Sequence, residues 1–230
     1  MNPIVEGIRE ALRLLANLDP EVMSIAGVSL KVSLISTAAA TLLGLPMGFA
    51  LATREFTGRG VLITFVNTLL ALPTVVVGLV CFAILSRQGP LGVLGLLYTP
   101  VAMAVGQTIL AAPIVTALTL SAVQAIDPRV AETARTLGAT RRQLRWTILA
   151  EARFAVLAAI ITAFGRVVAE VGISLMIGGN IRHYTRNLTT AIALETSKGE
   201  FGLGLALGVI LMALGLVVNG ALHLVQQWER

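Results

Sequence analysis

The sequence predicts an all-α membrane protein, and two observations carry that expectation. The first is composition. Of 230 residues, 56% are hydrophobic and only 13% charged, with a mean hydropathy of +0.87, so polar side chains are too few to cover a water-soluble globule. The second is the layout of charge. Residues 32–53, 60–86, 88–126 and 201–228 carry no Asp, Glu, Lys or Arg, and each run reaches or exceeds the ~20 residues that cross a hydrocarbon core. A fifth run, 147–179, is interrupted only near its start and at Arg166 and Glu170. Five spans follow, at about 24–53, 60–86, 100–124, 147–179 and 203–227, within one transmembrane domain over 24–228.

Residues 1–23 precede the first span. Ile4, Ile8, Ala11, Leu12 and Leu15 share one helical face, with Glu6, Arg9, Glu10 and Arg13 largely off it, a pattern that suits a helix lying in the lipid interface. No apolar core of 7–15 residues precedes a small-residue site, so this stretch does not read as a cleaved signal. A mobile terminus is the plainer alternative. In the second span Asn67, Pro73 and Thr74 are polar or helix-breaking, as are Gln107 and Pro113 in the third. Such positions act as kinks or gates, or merely join helices. The run from residue 88 opens with Gly89, Pro90, Gly92, Gly95 and Pro100, which predicts an irregular piece before a helix from about Val101 and leaves room for a sixth span.

The loop 125–146 has the densest local signals. Asp127 can cap a helix that starts at Pro128. Val130, Ala134 and Leu137 then form an apolar stripe, with Arg129, Glu132 and Arg135 facing elsewhere. Gly138 supplies a left-handed stop. After Ala139, Thr140 and Gln143 have capping-box spacing, so a second helix begins at Arg141. The prediction is an arginine-dense helical hairpin. Six arginines, at 129, 135, 141, 142, 145 and 153, place it in the cytoplasm by the positive-inside rule. Five spans then put the N-terminus outside and the C-terminus inside.

Arg166 and Glu170 are spaced i, i+4 and so within reach on one helix face. Charges at membrane depth face a bundle interior or a watery cavity, and two readings stand: a favourable potential for an anion in transit, or a structural ion pair. Gly178, Gly179 and Asn180 end the fifth span. A hydroxyl-rich piece follows, in which Asn180, Arg182, Thr185, Arg186 and neighbouring threonines are donors suited to a tetrahedral dianion, or simply an outer loop that contacts another protein.

Several functions are excluded. Cys81 is the single cysteine, and His183 and His223 stand apart from carboxylate clusters, so neither a disulfide, a metal site nor a catalytic dyad is expected. Only Lys31 and Lys198 exist, and neither completes a phosphate-binding G-x-x-x-x-G-K-[ST] loop. The chain therefore binds no nucleotide cofactor, and any ATP-Mg is used by another subunit. The net charge of +5 reflects topology and docking, because no basic stripe carries interleaved aromatics that would suit nucleic acid.

The hairpin resembles the cytoplasmic loop of type I ABC importer permeases, which reads E-A-A, three residues, Gly, nine residues, then I-x-L-P. Glu132, Thr133, Ala134, Gly138 and Ile148 fall at matching positions; Thr133 replaces the first Ala, and Ala150-Glu151 stands where Leu-Pro is usual. The outer segment is similar to the sulfate, molybdate and tungstate permeases, and most to the tungstate branch, in Gly179-Asn180-Ile181, Thr185-Arg186-Asn187-Leu188 and the run Thr189 to Thr196. The resemblance implies the type I importer permease fold and a non-enzymatic translocation subunit in the cell inner membrane that works as a homodimer. Its implied partners are two P-loop ATPase subunits and an extracytoplasmic oxyanion-binding protein. It implies that Arg129, Glu132, Arg135, Leu137, Gly138, Ala139, Thr140, Arg141 and Arg142 dock the ATPase. The expected path or gate residues are Asn67, Pro73, Thr74, Arg166, Glu170, Gly179, Asn180 and Thr185. An ion-coupled secondary transporter or channel is the alternative class, and molybdate or sulfate the alternative cargo.

Overall fold

The structure, a computed structural model, describes residues 3–227, with side chains from residue 5 onward. The side chain of Ile4 and the terminal Trp228 and Arg230 lie outside the described residues. Among the described residues all regular structure is helical: α1 (Pro3–Ala16), α2 (Pro20–Thr53), α3 (Arg59–Leu70), α4 (Thr74–Leu85), a 3-10 turn at Gly92–Leu94, α5 (Pro100–Gln124), α6 (Pro128–Thr136), α7 (Arg141–Glu151), α8 (Arg153–Val168), α9 (Gly172–Gly178), α10 (Leu188–Lys198) and α11 (Phe201–Gln227). Three helices, α2, α5 and α11, are long and apolar enough to cross a membrane. The count reaches five if the bent pairs α3–α4 and α7–α8 are each one span.

Several expected boundaries shift, each for a local reason. The second span is not one helix over 60–86, because α3 and α4 meet at 98°; Pro73 lacks an N–H and drives Leu72 out of the helical region, so the ladder stops. The fifth span, expected as 147–179, is broken twice. α7 bends by 60° into α8 at Ala152, and helix stops at Val168 before the short α9 restarts at Gly172. The loop expected to end at 146 continues as helix to Glu151. The first span starts at Pro20 rather than residue 24, because Asp19 caps it through hydrogen bonds from the Glu21 and Val22 amides at 2.9 and 3.2 Å. Finally, α1 packs along α11. Gly7 and Ala11 face inward and Leu14 is half-buried, while Ile8 and Leu12 of the expected apolar face remain exposed. The absence of a side chain at Gly7 permits this, since a Cβ there would sit 3.2 Å from that of Phe201.

The centre of the bundle is the α2–α5 pair, the most extensive helix contact in the chain. Lipid gives little hydrophobic drive to helix association, so small residues that let backbones approach are what such an interface needs. Gly44 and Gly48 supply them: a Cβ on Gly44 would lie 2.8 Å from the Ala112 carbonyl, and one on Gly48 2.8 Å from Thr119 Cβ. A polar ladder crosses the apolar core, with Ser36 Oγ 3.0 Å from Gln107 Oε1 and Gln107 Nε2 donating to Ser174 Oγ at 3.1 Å. All three residues are buried. The ladder satisfies the Gln107 amide where no water reaches and fixes α9 against α2 and α5.

Candidate functional site

At one end of the bundle, α6 and α7 form the hairpin. Asp127 Oδ1 accepts from the Arg129 amide at 2.9 Å and Pro128 opens α6. Gly138 turns at φ +80°, closed by Gly138 N–H to Arg135 O at 3.0 Å and Ala139 N–H to Ala134 O at 2.9 Å. Thr140 and Gln143 form a reciprocal capping box, with the Thr140 amide donating to Gln143 Oε1 at 2.8 Å and the Gln143 amide to Thr140 Oγ1 at 3.3 Å. The hairpin is thus rigid by local hydrogen bonding, yet neither helix has a buried residue. Leu137 is 82% exposed at its tip. Val130 and Ala134 line an open groove of about 750 Å³ with Gln143 and Thr147. Arg129 pairs with Asp127 at 3.8 Å, whereas Arg135, Arg141 and Arg142 have no ion-pair partner among the described residues. The hairpin therefore presents ordered backbone, arginines with no ion-pair partner among the described residues and an exposed leucine on one surface.

A second constellation lies where the broken spans meet. Glu170, in the gap between α8 and α9, is 1% exposed. Its Oε2 accepts from Arg166 Nη1 at 3.1 Å, its Oε1 from the Ile173 amide at 3.2 Å, and its carbonyl from Thr189 Oγ1 at 2.8 Å. The carboxylate therefore caps α9 while holding the Arg166 guanidinium, whose side chain remains 46% exposed. Gly172 brings the other break alongside: the point where its Cβ would stand is 3.1 Å from Thr74 Oγ1 and 3.3 Å from Glu170 Oε1. Thr74 opens α4 just after Pro73, and Asn67 is exposed on α3. The fold thus brings Thr74, Arg166 and Glu170 to one junction, with Pro73 in the break beside Thr74 and Asn67 on the preceding helix α3.

Gly179, Asn180 and Thr185 sit apart from that junction, in the loop between α9 and α10. Gly179, Asn180 and His183 have φ of +70°, +50° and +61°. Thr185 is fully buried, its Oγ1 donating to Gly178 O at 2.6 Å and accepting from the Ile181 amide at 2.9 Å, and Asn180 Nδ2 donates to Thr190 O at 3.3 Å. These side chains fold the loop onto itself. The two loop arginines are already partnered. Arg182 Nε donates to Glu21 Oε1 at 2.9 Å, and that hydrogen bond, followed by the charge of Glu21, holds the guanidinium pKa above its ordinary value. Arg186 lies 3.6 Å from Glu21 and 3.7 Å from Glu195, and Glu195 also accepts from Lys198 Nζ at 3.0 Å. Sequence reasoning found the arginines as anion donors and missed both carboxylates. The i, i+3 spacing of Glu195 and Lys198 was a readable signal, whereas nothing local links Glu21 to residues 182 and 186.

Helices long and apolar enough to cross a membrane, with a polar junction where the bent spans break and an exposed arginine-rich hairpin, define an integral-membrane protein. The chain belongs to the family of binding-protein-dependent transport system inner membrane components, whose model matches residues 41–230. It is 44% identical over 202 residues to the probable anion ABC transporter permease protein of Haloferax volcanii, covering 86% of this chain and 87% of that one. It is 40% identical over 220 residues to the tungstate uptake system permease protein TupB of Campylobacter jejuni, covering 96% and 92%. Its fold matches a chain of the inward-facing MetNI methionine ABC transporter with a TM-score of 0.73 at 22% identity, over 95% of this chain and 99% of that one. The protein is a multi-pass inner-membrane permease with the type I ABC importer fold.

Proposed function

We propose that this chain is the translocation subunit of an ATP-driven importer for a tetrahedral oxyanion, tungstate, acting as a homodimer. The observation that carries the pathway is Arg166: a half-exposed guanidinium, anchored by a buried carboxylate, at the junction of two broken membrane spans. Such a group cannot face lipid without large cost. It belongs against water or a second copy, where a fixed guanidinium suits an oxyanion as hydrogen-bond donor and charge. Glu170 nearly balances that charge, which favours passage over retention. The similarity to a tungstate permease supports the choice of cargo.

In this reading the α6–α7 hairpin sits in two copies of a cytoplasmic P-loop ATPase, which uses ATP-Mg, and an extracytoplasmic oxyanion-binding protein delivers cargo at the opposite end. With the hairpin cytoplasmic, α2 runs inward, the Glu21–Arg182–Arg186–Glu195 cluster lies outside, and the C-terminus is cytoplasmic. ATP-driven closure of the ATPase pair moves α6 as a rigid lever, and α7–α8 and α5 rock to open the junction outward. The test is ATPase activity of the complex in lipid, with tungstate, molybdate and sulfate supplied separately. Stimulation by tungstate that is lost on Arg141→Glu with Arg142→Glu is expected. Stimulation by another oxyanion alone overturns the cargo, and failure to assemble with any P-loop ATPase overturns the importer.

A further inference from the structure

We propose that the loop 179–187 is a strained strap, latched by the Glu21–Arg186–Glu195 ion cluster, and that this latch restrains the transporter until cargo is delivered. The inference rests on the importer reading above. It adds a restraint built from residues outside both the hairpin and the Arg166 side chain.

The strap is held against its own preferences. Asn180 and His183 stand in the left-handed region at φ +50° and +61°, where an L-residue is disfavoured. Arg186 Nε and Asn180 Oδ1 are buried with no hydrogen-bond partner among the described residues, although buried polar atoms are ordinarily satisfied. Such conformations persist where the surroundings over-determine them, and here the surroundings are ionic. The Arg186 side chain, 11% exposed, lies between Glu21 at the start of α2 and Glu195 of α10, at 3.6 and 3.7 Å. Arg182 adds two parallel hydrogen bonds to the same Glu21 carboxylate. One carboxylate on α2 thus fixes both arginines of the strap, through charged contacts that are stronger than neutral ones.

The strap also reaches the Glu170 junction. Thr185 donates to the Gly178 carbonyl at the end of α9, Asn180 to the Thr190 carbonyl of α10, and Thr189 to the Glu170 carbonyl just before α9. Both ends of α9 are therefore tied to the latched segment, and Glu170 in turn holds Arg166. Moving α9 relative to α2 requires the strap to yield. A cavity of about 440 Å³ beside the ion pairs admits water to solvate the charges once they part, so the latch can release. On release the left-handed residues relax and the orphaned Arg186 and Asn180 atoms gain partners, which gives the strap two states.

The experiment uses the permease–ATPase complex in lipid vesicles, without binding protein, carrying a nitroxide on His183→Cys; the parent chain, whose Cys81 is buried, sets the labelling background. Glu21→Gln, and separately Glu195→Gln, should raise the mobile-to-restrained ratio of the label about tenfold, with ATP turnover rising alongside. Glu21→Asp, which keeps the charge, should fall between Glu21→Gln and the parent. Glu200→Gln removes a carboxylate that lines the same cavity but has no ion pair among the described residues, and it should change neither readout. A label that both glutamine variants leave restrained overturns the strap. A label that is freed while ATP turnover stays at the parent level overturns the restraint, because the cluster is then a structural brace alone. A complex that hydrolyses no ATP even with binding protein and oxyanion present counts against the importer reading instead, and the label ratio still decides the strap.

Discussion

Replacing Gly138 with valine tests the lever proposed for the hairpin. Gly138 holds φ +80°, and a Cβ built there meets no atom within 4 Å, so the substitution adds no clash and removes no contact. What it adds is backbone strain. A left-handed conformation costs an L-residue about 1–2 kcal/mol, and a β-branched residue sits there as an outright outlier. That is a factor of about 5–30 in the population of the native turn, enough for the chain to leave the αL basin and re-aim α6 relative to α7. Asparagine tolerates this region, so Gly138→Asn should restore most of the loss. The assay is ATP-driven uptake per ATP hydrolysed in proteoliposomes, with affinity for the ATPase subunit measured in parallel. Valine should lower the ratio, alanine less so, and asparagine least. Equal behaviour of valine and glycine, or of valine and asparagine, would refute the lever, because only turn geometry separates these residues here.

Two further substitutions probe the membrane core. Glu170→Ala strands the buried Ile173 amide, a loss of about 1–3 kcal/mol, whereas Glu170→Gln keeps one acceptor for it and gives up both the charge and the acceptor facing the half-exposed Arg166. Thermal unfolding of the complex should therefore rank alanine below glutamine, with glutamine between alanine and the parent chain; equal destabilisation would deny Glu170 its capping role. Gly48→Ala drives a methyl group against the Thr116 carbonyl and Thr119, overpacking that costs about 1–3 kcal/mol. Gly208→Ala, with open space at its Cβ, should melt no lower than the parent chain, and parity of the two variants would remove the small-residue account of the α2–α5 contact.

The loop between α9 and α10 shows how burial re-weights a motif. Sequence presents Asn180, Arg182, Thr185 and Arg186 as a row of donors for a dianion. In the fold Thr185 is spent on Gly178 and Ile181, and the arginines on Glu21 and Glu195. Thr189 ties the start of α10 to the Glu170 carbonyl, so this loop links the Glu21–Arg182–Arg186–Glu195 cluster to the Glu170 junction. These side chains brace the loop and leave no open row of donors.

What the chain's sequence determined by itself was everything written within a few residues. The Asp127-Pro128 start, the Gly138 turn and the Thr140–Gln143 box were legible because caps and left-handed glycines act over one helical turn. The membrane class and the approximate count of spans were legible because hydrocarbon thickness sets run length. Tertiary structure decided the rest. The breaks at Pro73 and Glu170 become one site only because Gly172 lets α9 lie beside α4. Glu21 meets Arg182 across 161 residues, Ser29 accepts from the Leu188 amide across 159, and Ser36 meets Gln107 across 71. Periodicity names the face a side chain occupies, and which helix meets that face follows from packing that no local pattern encodes.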